Sequence, residues 1–258
     1  MTNFINESTS LNFVTVSKRW NSVLQTNLLT CKKNKIKFIW IKHLTSNSSN
    51  FKFTLKNNRD LIILEVSTDK TINHLEAFLF ESLKYLGLKK WYLRIDSDEL
   101  ISLKYLKLIQ NSIPYLDSGT VYKFKRLWIK KIDKNYCYSN ISVSSNGDPD
   151  YQPRLFFPDR FEADLGIHTV GIKYKKSRLL DSNISILHLI WELENVNKRL
   201  TKIKKYNEIS PGAGSSKLRY YLPEIFPNHN WVTLLNDDQN ILEIWSNVTK
   251  NKDNRIKY

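Results

Sequence analysis

Trp91-Tyr92-Leu93-Arg94-Ile95-Asp96-Ser97-Asp98-Glu99 is a buried-strand pattern that runs without a break into carboxylates. Bulky residues at Tyr92, Leu93 and Ile95 suit the interior of a sheet, and Lys89 and Lys90 mark where the strand begins. Three acids within four residues repel one another and call for a counter-charge. A divalent cation with oxygen ligands is one such counter-charge, so a strand leading into Asp-x-Asp is a candidate metal–diphosphate site. The competing account is a helix start near Glu99, where Asp or Ser caps and the dipole stabilises carboxylates.

Outward from this stretch, Leu11–Ser17 reads as a short strand. A helical pattern follows through Val23, Leu24, Leu28 and Leu29, and 35–41 (KIKFIWI) is a second strand. A short strand at Phe51–Leu55 precedes 61–66 (LIILEV), a nearly continuous apolar run expected of a strand covered on both faces. Ser67-Thr68-Asp69-Lys70-Thr71 forms a capped turn into a helix near Ile72–Leu86. This rhythm predicts an α/β sheet with mainly parallel pairing, whose ligands sit beyond the carboxyl ends of its strands. Both polar motifs, at Ser67 and at Asp96, fall at such ends.

After Pro114 the texture changes. Residues 121–130 (VYKFKRLWIK) alternate large and basic side chains, as in an antiparallel strand with one wet face. Tyr138–Gln152 is polar and reads as a surface loop. Further short strands are expected at Arg154–Phe157, Ile167–Tyr174 and Ile184–Ile190. A basic helix over Glu192–Tyr206 is stopped by Pro211-Gly212-Ala213-Gly214, and a last strand and helix lie between Trp231 and Trp245. The division expected is a nucleotide-sugar-binding half, 1–115, and an acceptor-binding half, 116–258, of one domain.

Bulk properties narrow the class. A chain of 258 residues with 41% hydrophobic and 12% aromatic residues folds around a sizeable core. Cys31 and Cys137 are the only cysteines, which leaves no zinc cluster and no disulfide framework, so a reducing compartment is the default. The start of the sequence, Met1–Ser10, lacks an apolar core, and no run approaches a membrane span. A cytoplasmic protein is expected, with peripheral contact at the inner face of a membrane as an option. The net charge of +15 concentrates in residues 1–60 and 171–206. It suits an anionic membrane surface, a phosphorylated ligand or nucleic acid, or simply a solvated basic surface.

Together these residues resemble glycosyltransferase family 2 and related enzymes of the nucleotide-diphospho-sugar transferase (GT-A) fold. Ser67-Thr68-Asp69-Lys70-Thr71, preceded by Glu65, is similar to the family's Asp-x-Ser-Thr-Asp-x-Thr segment, and Asp96-Ser97-Asp98 to its metal-binding Asp-x-Asp. Arg154-Leu155-Phe156, Ile167-His168, Leu187-His188 and Lys202–Tyr206 follow in the order seen in the later half of bacterial sugar transferases. The likeness runs from about Leu11 to about Glu224. Departures are Glu65 and Val66 for the usual Asp and Gly, Lys70 for a usual Gly, and a long interval between the first strand and Ser67. Which of 35–41 and 61–66 holds the family's second strand position stays open.

The resemblance implies a GT-A-like (Rossmann-like) sheet flanked by helices, with a smaller antiparallel and helical C-terminal part. It implies transfer of a sugar from a UDP- or GDP-sugar to a carbohydrate or lipid-linked acceptor, with Mn²⁺ or Mg²⁺ on the donor's phosphates. Asp98 is the expected direct ligand; Asp96 reaches the ribose or, through water, the metal, and His188 is a further ligand. Glu65, Ser67, Asp69 and Arg94 are the donor-binding candidates, and Asp164 or Glu162 the candidate general base. His168, Arg154 and Lys202 are candidates for acceptor or phosphate contacts. Each has a plainer counterpart: His188 as a hydrogen-bonded structural residue, Asp69 or Thr68 as a helix cap, Glu162 and Asp164 as loop acids.

Lys198, Arg199, Lys202, Lys204 and Lys205 would dock an anionic acceptor or a membrane, or form a solvated helix face. Two other classes compete. A nucleic-acid-binding protein would explain the charge, but Asp96, Asp98 and Glu99 would repel a phosphate backbone. A GT-A-like module that has lost catalysis would explain Val66 and Lys70.

Overall fold

The computed structural model describes residues 10–47, 51–68, 75–87, 89–139, 150–163, 172–209, 211–212, 214–215, 218–223 and 231–251. Asp69, Lys70, Thr71, Asp164 and His168 lie outside the described residues.

In the first half, β1 (Leu11–Ser17), α1 (Ser22–Lys33), β2 (Lys37–Thr45), β3 (Lys52–Asn57), β4 (Leu61–Thr68), α2 (Leu75–Leu86) and β5 (Trp91–Arg94) follow one another. β1 pairs in parallel with both β2 and β5, and β2 in parallel with β4, giving a central run β4-β2-β1-β5. Alternation along each strand explains why both faces need cover. Phe13, Phe38 and Trp40 face α1, whose Leu24, Leu28 and Cys31 are buried against them. Val14, Ile39, Ile41 and Leu64 face α2 through Leu79, Phe80 and Leu83. The two helices therefore cover opposite faces, as in a doubly wound sheet. Burial of each such Leu or Phe side chain contributes roughly 1.5–3 kcal/mol.

Chain order reverses at β1: from there the chain goes out to β2 and β4, then returns to β5 on β1's other side. Such a reversal opens a crevice between the carboxyl ends of the two strands. Here it lies between Ser17 at the end of β1 and Arg94-Ile95-Asp96 at the end of β5. β2, carrying the KIKFIWI pattern, is the strand beside β1, and β4 is one place further out.

After β5 come β6 (Glu99–Leu100), α3 (Leu103–Ser112), β7 (Val121–Ile132), β8 (Asn135–Ser139), β9 (Tyr151–Phe156), β10 (Glu162–Ala163), β11 (Ile172–Lys173), β12 (Ser177–Leu179) and β13 (Ser185–His188). The chain closes with α4 (Ile190–Leu193), α5 (Val196–Ile209), α6 (Leu218–Tyr221), β14 (Trp231–Thr233) and α7 (Asn236–Lys250). β9 is antiparallel to both β5 and β7, so it joins the two halves into one twelve-stranded mixed sheet. The expected mainly parallel sheet is thus corrected: the continuous parallel run is confined to β4-β2-β1-β5, with β12 and β13 parallel to β7 and the other pairings antiparallel. The reason is connectivity. β8 follows β7 after only two residues, Asp133-Lys134, and so short a connection joins neighbouring strands antiparallel.

Two local differences bear on the site. The helix after the acids does not start at Glu99; Glu99 and Leu100 pair with His188 and Leu187 as strand, and α3 starts at Leu103 with Ser102 as its cap, its Oγ accepting from Tyr105 N at 3.3 Å. The basic helix expected over Glu192–Tyr206 is two helices, α4 and α5, separated at Glu194-Asn195.

Candidate functional site

Backbone connections build the rim of the crevice first. Ile95 N donates to Val14 O at 3.0 Å, continuing the β1–β5 pairing by one residue. Asn21 caps α1, its Oδ1 accepting from Leu24 N at 2.9 Å, while its Nδ2 donates to Ser97 O at 3.0 Å. Asn27 on α1 donates to Glu99 O at 2.8 Å. The rim is therefore fastened to the first turns of α1, whose N-terminal dipole end favours negative charge nearby.

The acids then separate into distinct roles. Glu99 is fully buried; its Oε1 accepts from Arg154 Nη2 at 2.6 Å and its Oε2 from Asp96 N at 3.0 Å. Asp96 faces two guanidinium groups, with Oδ2 at 2.7 Å from Arg154 Nη2 and Oδ1 at 3.3 Å from Arg94 Nη2. Arg126 adds a looser contact to Glu99 at 3.5 Å and a tight one to Asp150 at 2.6 Å, and Asp150 also accepts from Trp128 Nε1 at 2.9 Å. Burial would raise the Asp96 carboxyl, but Arg154, Arg94 and Arg126 outweigh it and hold it well below the usual carboxylate range. Arg154 is in turn held more firmly protonated despite its burial, by Asp96 and Glu99. The counter-charge that the sequence assigned to a cation is thus supplied, for Asp96 and Glu99, by arginines.

A β-bulge aims Arg154 at the rim. Leu155 pairs with Tyr122 and Pro153 with Lys123, so Arg154 has no opposite number on β7. An unpaired extra residue bends the strand and redirects its side chain, and Arg154 here reaches both Asp96 and Glu99.

Asp98 differs from its neighbours: the side chain beside it is His188, with Oδ2 3.5 Å from Nε2. Its side chain is 25% exposed and that of Asp96 34%, so these two carboxylates front the crevice while Glu99 stays behind it. Despite burial, His188 chiefly holds the Asp98 carboxyl below its usual value, and Lys202 contributes. The His188 ring packs edge-on against Trp128 at 4.2 Å between centroids, and its Nδ1 is buried with no hydrogen-bond partner among the described residues. Packing therefore sets the ring's orientation. Trp128 continues into Trp191 and Tyr221, at 5.5 and 6.3 Å, which floor the site towards α4 and α6.

Arg94, Asp96, Asp98, Arg154 and His188 come together as a single cluster, with Lys202 at its edge, where it bonds Glu194 at 2.8 Å. Glu65 and Ser67 lie on the same sheet edge but three strands from β5, about 14 Å away at ordinary strand spacing. Glu65 is paired there with Lys42 at 2.9 Å and Lys56 at 3.1 Å, and the Lys42 bond chiefly lowers its pKa. Glu162 is largely exposed in the small β10–β11 pair, 3.7 Å from Lys173. The residues that sequence reasoning missed are Asn21, Asn27, Arg126 and Asp150. Position 126 was legible as part of an alternating strand, but nothing in the sequence linked it to residues 99 and 150.

Among the described residues no three His, Cys, Asp or Glu side chains form a complete metal centre. Asp98, His188 and Asp96 nonetheless offer oxygen and imidazole donors suited to Mn²⁺ or Mg²⁺, which bind through one or two carboxylates plus substrate phosphates. Because both Asp96 oxygens face arginines, Asp98 is the carboxylate best placed for direct ligation. Among the described residues no helix is long and apolar enough to cross a membrane. The chain matches no family model, and no curated protein matches it significantly.

Proposed function

We propose that the protein is a metal-dependent glycosyltransferase that takes a sugar from a nucleotide-diphosphate donor, of the UDP- or GDP-sugar class, to a carbohydrate or lipid-linked acceptor. The observation that carries this reading is the meeting of Asp98 and His188 beside Asp96 at the carboxyl end of β5, beside the crevice where the strand order reverses. Ligands of open α/β sheets bind at that place, and the parallel run β4-β2-β1-β5 with helices on both faces supports a GT-A-like arrangement.

Asp98 and His188 would hold Mn²⁺ or Mg²⁺, which when bound neutralises the charge that grows on the leaving diphosphate. Asp96 is fixed by Arg94, Arg154 and the Glu99–backbone bond, so it presents a rigid acceptor for a donor hydroxyl or a metal-bound water. The N-terminal turn of α1, anchored through Asn21, adds favourable potential for phosphate. Lys202, held by Glu194 at the edge of the cluster, adds positive potential near Asp98. The general base is assigned to Asp164 or Glu162, and Glu65, Ser67 and Asp69 to the nucleotide end of the donor.

Calorimetric titration with UDP and with GDP, each with and without Mn²⁺, tests the reading. Metal-dependent binding that falls at least tenfold in Asp98→Ala is expected. Nucleotide release from a panel of nucleotide sugars then distinguishes an enzyme from a binding module. The second reading, a GT-A-like module without catalysis, is favoured by one observation: arginines neutralise Asp96 and Glu99, so that part of the rim needs no cation. On that reading nucleotide binds without Mn²⁺ and no donor is turned over.

A further inference from the structure

A second concavity lies apart from the rim, where α1, α3 and α7 meet. Asn34 Nδ2 at the end of α1 donates to Leu103 O at 3.2 Å and ties α1 to the start of α3. The groove has a volume of about 460 Å³. Its walls are mostly apolar: Leu29 from α1, Leu103 from α3, Ile241 and Ile244 from α7. Leu103 is 41% exposed, while the same helix buries Tyr105, Leu106 and Ile109 on its other side.

The mouth has the opposite character. Lys33, Lys104 and Lys107 surround it with Asp237 as the one carboxylate, and Asp237 is taken up by Lys104 at 2.8 Å. Lys33 and Lys107 have no carboxylate partner among the described residues. An apolar trough of this size, with two cations at its opening that no described carboxylate pairs, has the form of a small-ligand pocket: apolar walls for burial, few polar groups for orientation. A peptide would leave backbone amides unsatisfied against such walls. A single hydrocarbon chain would not, and an anionic head would meet Lys33 and Lys107.

We infer that this groove binds one acyl chain bearing an anionic headgroup. The inference does not rest on glycosyl transfer and stands or falls separately from it. Ser102, which lines the groove, also caps α3 three residues after Glu99, so an occupant would sit against the back of the rim segment.

Calorimetry with laurate below its micelle concentration tests it, with dodecyltrimethylammonium as the probe of equal chain and opposite charge. One laurate per chain is expected, bound at least tenfold more tightly than the cation. Lys33→Glu with Lys107→Glu should reverse that preference, and Leu103→Ser should weaken both probes; all three positions are exposed, and unchanged thermal melting would show that the variants fold. Equal affinity for both heads, several chains bound per protein, or laurate binding unmoved by the variants would overturn the inference. So would a dimer in sedimentation velocity that Leu103→Ser converts to monomer, since a second copy would then be the occupant.

Discussion

Glu99 shows how a single residue can be essential to a site without reaching it. It is fully buried, holds Arg154 at 2.6 Å and fixes the backbone of Asp96 at 3.0 Å. Removing one partner of a buried charged pair leaves the other uncompensated, which costs about 3–5 kcal/mol. Glu99→Gln should therefore lower the unfolding free energy measured in urea by that order. Asp98→Ala should leave the unfolding free energy within about 1 kcal/mol of the parent, because its carboxylate is partly exposed. Denaturation curves for the two variants give the comparison: if Asp98→Ala unfolds as easily as Glu99→Gln, the rim acids are structural and the assignment of roles fails. Arg154→Met should fall with Glu99→Gln, since it strips the same buried pair from the other side.

At the scale of elements, α1 and α3 are both fastened near the rim by caps, but only one cap touches it. Asn21 caps α1 and also holds Ser97 O, whereas Ser102 caps α3 alone. Loss of either cap costs about 1 kcal/mol of stability. Asn21→Ala should in addition weaken metal-dependent nucleotide binding several-fold, while Ser102→Ala should not. Equal binding by both would show that the Ser97 contact does not position the acids. Gly214 makes a similar point for α5. A Cβ there would collide with the Ile203 carbonyl oxygen and the Asn207 side chain, and its N–H already bonds Asn207 Oδ1 at 2.8 Å. The Pro-Gly-Ala-Gly stop read from sequence thus has a packing reason beyond chain termination.

For the whole molecule, pH acts through groups of opposite sign. Asp238 on α7 is buried beside Ser185 and Tyr105, and burial pushes its pKa up to about 6, from an ordinary 3.8; Asp237 adds to this, while Ser185, Lys104 and Tyr105 oppose it. The folded state therefore holds this proton more tightly than the unfolded chain. Its stabilisation is complete below the ordinary value and is lost as pH rises through about 6, by about 3 kcal/mol at most. Asp96, Asp98 and Asp150 behave oppositely: their lowered values stabilise the fold above the ordinary carboxylate range and are lost as pH falls below it. Melting temperature should thus decline between pH 4 and pH 6 in the parent protein, and Asp238→Asn should flatten that decline. A parent profile that rises over the interval would contradict the buried-acid account.

The strand and helix pattern of the first half was legible because each element satisfies a short-range rule: alternation in Leu11–Ser17, continuous burial in Leu61–Val66, a 3.6-residue stripe in Leu75–Leu86. Local periodicity also found the acids at the end of β5. Beyond this, order in space decided. Sequence put Ser67 and Asp96 on one rim, and the parallel run does so, yet β1 and β2 stand between them because chain order and strand order differ. The same acids pointed to a missing counter-charge, and three arginines from β5, β7 and β9 supply much of it; Arg126 and Arg154 lie 27 and 55 residues from Glu99, a separation no local pattern bridges. What the sequence determined by itself was the inventory of elements and the presence of concentrated carboxylates. What only the tertiary structure decided was which charges face them, because Coulombic partners are chosen by distance in space and a single bulged residue in β9 sets that distance.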